Sequence, residues 1–142
     1  MVKVVKDVFY LPSLVLFVLG LVDLLRGFMH TFLLRWSADA FAQLDLTTNA
    51  ADQLFLLGIY GISNYLTGVI YLLISRKARN LSPYILGIIP LVYFFGIIVL
   101  RLVGVFPEST FNGKYFMLTY FGVCILTFIN FMINKNKKKS LK

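Results

Sequence analysis

The sequence predicts an all-α integral membrane protein: a bundle of four transmembrane helices in one domain covering residues 1–142, with both termini cytoplasmic. Three observations carry that reading. Apolar residues make up 59% of the chain and charged residues 14%, whereas soluble domains average about 45–50% and about 25%. The apolar excess lies in four long runs, about residues 9–34, 53–75, 83–103 and 115–134. Each is long enough to cross the hydrocarbon core, which takes about 20 helical residues. Cations then flank these runs unevenly. Lys3, Lys6, Arg76, Lys77, Arg79 and the tail lysines fall on one side, and only Arg35 and Lys114 lie in the loops on the other. The positive-inside rule places the first group, and both termini, in the cytoplasm. The expected location is a multi-pass position in a plasma or inner membrane.

The first run follows a short basic entry. Its apolar stretch followed by Ala38-Asp39-Ala40 resembles a signal peptide, but a cleavage site closely follows the apolar region. Here Asp23, Arg26 and a further helical turn intervene, so an uncleaved helix is expected. Trp36 then suits an interface, and residues 38–44 read as a short surface helix. Thr47, Thr48 and Asn49 offer capping oxygens to the second run, with Asp52 in its first turn.

The second run carries Gly58, Gly61, Tyr65 and Gly68 at three- and four-residue spacing, with Asn64 adjoining. Such a face lets helices approach closely, and an amide can hydrogen-bond across the contact. The third run opens on Ser82-Pro83, a good helix start. Pro90 near its middle should kink it or free a carbonyl; tight packing with one interhelical hydrogen bond is the favoured reading, and a cavity opened against the glycine-lined second helix is the alternative. Gly104 to Asn112 forms a loop with Pro107 and Glu108. The fourth run leads into a solvated basic tail, residues 135–142, suited to anionic lipid.

The candidate site lies in the first run. Asp23, Arg26 and His30, the only histidine, interrupt a membrane span, where ionisable groups are costly and mark function by default. At 100° per residue, Gly20, Asp23, Gly27 and His30 fall within about 80° of one another. Asp23 and Arg26 are three apart and can pair; Arg26 and His30 are four apart and can share an anionic partner. Counting turns places Asp23, Arg26 and Arg101 in the outer half of the bundle. The bland reading is a neutralised pair with both arginines snorkelling to lipid phosphates. The functional one is an outward-facing cationic pocket of Asp23, Arg26, His30 and Arg101 for a small anion or lipid headgroup.

Three functions remain open: a binding or transport component using that pocket, an interaction or scaffold subunit docking a partner or a second copy through Gly58, Gly61, Asn64 and Gly68, and a membrane enzyme using His30 and Asp23 as acid–base groups. The expected partners are membrane lipids, with a small anionic ligand, a second copy or a membrane protein as further candidates. The chain has no metalloprotease, nucleophile-elbow or phosphate-loop motif. The lone Cys124 allows no internal disulfide. No metal, cofactor or nucleic acid is expected.

Overall fold

A computed structural model of the chain describes residues 7–44, 46–47, 49–105 and 113–140. Among these there is no strand. Helix α1 spans Tyr10–Thr31, and a short α2, Leu34–Trp36, leads into a π-helical turn over Ser37–Ala42. Helix α3 covers Ala50–Lys77, α4 covers Ser82–Leu102 and α5 covers Gly113–Ser140. Four helices, α1, α3, α4 and α5, are long and apolar enough to cross a membrane. The exterior is apolar too: Leu91, Phe95, Leu118 and Leu126 are all exposed. Such a surface suits a multi-pass integral membrane bundle. Lys3, Lys6, Thr48, Pro107, Glu108 and the tail residue Lys142, each part of a sequence expectation, lie outside the described residues.

The helix ends follow local chemistry. Before α1, the Asp7 carboxylate accepts the Phe9 N–H at 3.0 Å, and Pro12 sits in the first turn, where its missing N–H is no loss. Of the expected capping residues of α3, Asn49 makes no side-chain cap. It takes a left-handed conformation, φ 52°; a capping side chain works from the extended region. The expected surface helix over residues 38–44 is π-helical and shorter. Helix α4 starts on Ser82-Pro83 as expected and runs through Pro90, which is buried. With no N–H at Pro90, the Leu86 carbonyl lacks its helical donor. Helix α5 continues past residue 134 into the basic stretch. Lysine is a good helix former and complements the C-terminal end of the dipole.

Helix α1 is the centre of the bundle. Helix α3 packs along it, α4 pairs with α5, and α1 joins the two pairs. The core between α1, α4 and α5 holds Leu16, Leu19, Leu86, Tyr120, Phe121 and Cys124. On the other side, glycines of α1 and α3 meet reciprocally. A Cβ on Gly68 would lie 2.8 Å from the Gly20 carbonyl oxygen, and one on Gly27 would lie 3.0 Å from that of Gly61. The glycine face of α3 therefore meets α1, not the proline-bearing α4. The reason is reciprocity: only α1 offers glycines at matching seven-residue spacing. Chain direction alternates, so one end of the bundle gathers Asp7, Arg76, Arg79 and Lys135. We call it the basic end, and the opposite one the His30 end.

Candidate functional site: a cavity beside Arg26

Asp23 sits two-thirds of the way along α1 and is 5% exposed. An unpaired carboxylate at such a place is prohibitively costly. Three helices supply its partners. Thr67 of α3 brings its hydroxyl to 3.3 Å from Oδ2, its one hydrogen shared with the Ser63 and Asn64 carbonyls, and Tyr120 of α5 donates to the same oxygen at 3.2 Å. Arg26, one turn on in α1, brings Nη1 to 3.7 Å from Oδ1.

That ion contact is longer than a hydrogen bond, and a guanidinium carries five N–H donors. Arg26 is held mainly by aromatic faces instead. Its Cζ lies 5.6 Å from the Tyr60 ring centre and 5.4 Å from that of Phe116, distances at which a ring face attracts a cation. The guanidinium thus sits between α3 and α5 in a fixed place.

His30 stands one turn further, near the end of α1. Its Nδ1 lies 3.2 Å from Ser37 Oγ, and Ser37 Oγ itself donates to the Leu34 carbonyl at 3.1 Å. Ser37 thereby ties the His30 ring to the turn that follows α1.

Arg26 and His30 both line a cavity of about 690 Å³. Volumes of about 300–1,000 Å³ are usual for small-molecule sites. Its walls come from every long helix: Leu25 and Met29 of α1, Leu57 and Tyr60 of α3, Tyr93 of α4, and Phe116 and Met117 of α5. Ala40 and Phe41 of the π-helical turn complete it. Phe41 is held by the edge of Trp36, with centroids 5.2 Å apart, and Tyr93 by Phe121 at 4.4 Å. The chamber is apolar and aromatic, with one cation and one imidazole.

The chain matches no family model, no curated protein and no solved structure. The site has to be read from its own geometry.

Of the residues expected from sequence, Asp23, Arg26 and His30 are brought together. Asp23 is not in the cavity wall; it stands behind Arg26 as its counter-charge. It makes no hydrogen bond with His30. Arg101 is exposed near the end of α4 and does not line the cavity. Gly61, Asn64 and Gly68 are buried and Gly58 half-buried, with the glycine face occupied by α1. Tyr65, on the same face, meets Thr31, with oxygens 3.1 Å apart.

Sequence reading missed the rings that hold Arg26. Tyr60 carried the signal of an interfacial tyrosine, but nothing distinguishes Phe116 from the other phenylalanines. Among the described residues no group of three or more His, Cys, Asp or Glu side chains converges.

Proposed function

We propose that this protein is a membrane-embedded binding component for an anionic amphiphile, a molecule with an acidic head and an apolar body. The observation that carries the reading is the placement of Arg26 in the wall of an otherwise apolar cavity of about 690 Å³. The guanidinium offers donors to a phosphate or carboxylate head. The neighbouring His30 ring adds a second polar group for the same head. Leu25, Met29, Leu57, Phe116 and Met117 then surround the apolar body. A bare inorganic anion uses only a small part of such a chamber.

In this reading both termini face the cytoplasm, on the cation asymmetry of the sequence, and the cavity opens within the outer half of the membrane. The reading of Asp23 and His30 as an acid–base pair loses support because the Asp23 oxygens are engaged by Arg26, Thr67 and Tyr120. Docking of a partner on the glycine face loses support because α1 already fills that face.

Binding of dodecyl phosphate and of dodecanol to the purified protein, followed by native mass spectrometry, tests the proposal. The phosphate should bind and the alcohol bind weakly. Arg26→Gln should lower phosphate-ester affinity roughly tenfold or more, the loss of one charge-assisted hydrogen bond, while the protein still inserts. Equal binding of both probes by the wild-type protein would sink the idea.

A further inference from the structure

A second cavity, about 320 Å³, lies at the basic end, between the first turns of α1 and the end of α3. It is lined by Arg76 and Arg79 together with Ser13, Ser75, Tyr10 and Phe17. We propose that it is a binding site for a phosphate group, carried by an anionic lipid of the adjacent leaflet or free in solution.

Both guanidiniums are oriented by α1. Arg76 Cζ lies 4.7 Å from the Phe17 ring centre, and Arg79 Cζ lies 5.7 Å from that of Tyr10. These rings are seven residues apart, two turns along one face of the helix, with Ser13 between them. Arg79 Nε donates to Ser13 Oγ at 3.3 Å, which fixes the plane of the group and leaves its two terminal nitrogens. The nearest acid is Asp7, 3.9 Å from Nη1, in a pair about half exposed on each side. Such a loose surface pair is weak. Arg76 has no carboxylate within ion-pair distance among the described residues.

The serines refine the chemistry. Ser13 Oγ donates to the Tyr10 carbonyl at 2.8 Å and Ser75 Oγ to the Leu72 carbonyl at 2.9 Å. Their hydrogens are committed, and both side chains are buried, 4% and 5% exposed. The donors for phosphate oxygens are therefore the two arginines, in the forked geometry that suits phosphate. Ser75 Oγ keeps acceptor capacity for a headgroup hydroxyl beside the phosphate. Basic pockets between membrane helices recognise acidic headgroups in this way. The site shares no residue with the Arg26 cavity, and its test is independent of that one.

The full-length protein in nanodiscs of phosphatidylcholine with phosphatidylglycerol provides the test, read as lipid retained in native mass spectra. Phosphatidylglycerol should be retained preferentially. Arg76→Gln and Arg79→Gln should each reduce that preference roughly tenfold, whereas Arg35→Gln, which removes a cation from the other end, should not. Displacement of the lipid by inorganic phosphate assigns the site to the free ion; resistance assigns it to lipid. Equal retention of the two lipids, a preference that survives both arginine changes, or an equal loss in Arg35→Gln overturns the proposal. If Arg79→Gln fails to fold for want of its Ser13 bond, Arg76→Gln decides alone.

Discussion

Tyr120 donates a hydrogen bond to Asp23 at 3.2 Å, joining residues 97 positions apart in the chain. Through this bond α5 is tied to the charged centre of α1, and through Thr67 the same oxygen ties in α3. Removing the phenolic hydroxyl should therefore loosen the bundle without emptying a core position. Tyr120→Phe is expected to lower stability by about 0.6 kcal/mol and by no more than ~1.7 kcal/mol, the range for interhelical hydrogen bonds in membranes. Unfolding by denaturing detergent measures it.

Truncating the acid itself is a different matter. Asp23→Ala leaves Arg26, whose side chain is 17% exposed, without its counter-charge, and breaking a buried pair costs about 3–5 kcal/mol. Asp23→Ala with Arg26→Met should recover much of that loss. Equal stability of the single and double variants would show that the pair is not what holds this region.

The glycine contacts make graded predictions. A methyl group on Gly68 would meet the Gly20 carbonyl at 2.8 Å, whereas one on Gly122 would meet nothing within 4 Å. Gly68→Ala should destabilise by about 1–3 kcal/mol through forced separation of α1 and α3. Gly122→Ala should be neutral or stabilise by up to about 1 kcal/mol, because alanine is the better helix former. Thermal unfolding of both variants in one detergent tests the ordering.

Cys124 is fully buried in the core between α1, α4 and α5. A maleimide should leave it unmodified in the folded protein and modify it after denaturation. Asp23→Ala should raise its labelling rate in mild detergent. Rapid labelling of the folded wild-type protein would contradict the packing of α5 on α1.

Orientation is testable with engineered cysteines in a Cys124→Ser background. Asp39 and Lys137 are both exposed and belong to opposite ends of the bundle. Asp39→Cys should be labelled from outside intact cells by a membrane-impermeant reagent, and Lys137→Cys only after permeabilisation. The reverse pattern would turn the Arg26 cavity toward the cytoplasm.

The four helices were legible because apolar length alone specifies a span. The Asp23–Arg26 contact and the close-packing character of Gly61 and Gly68 were legible too, since helical periodicity decides which residues share a face. What could not be read was the partner of each face. That α1 receives the glycines of α3 depends on a match between Gly20 and Gly68 and between Gly27 and Gly61, visible only once the two helices are laid together. Thr67 and Tyr120 look like any hydroxyl residues in a span, and Phe116 like any lipid-facing ring. Arg101 shared depth with Arg26, but depth says nothing about direction around the bundle. Asn49 had the right composition for a cap and the wrong backbone conformation.

The distribution of Asp23's partners also sets an order in time. Arg26 is synthesised within a turn of the acid, Thr67 arrives with α3, and Tyr120 only with α5. As the chain lengthens, the carboxylate begins with one companion and gains the others only when α3 and α5 have been made. A chain stopped before α5 lacks the Tyr120 donor and holds an incompletely satisfied acid inside its first helix, so the last helix to be made completes the polar centre of the first.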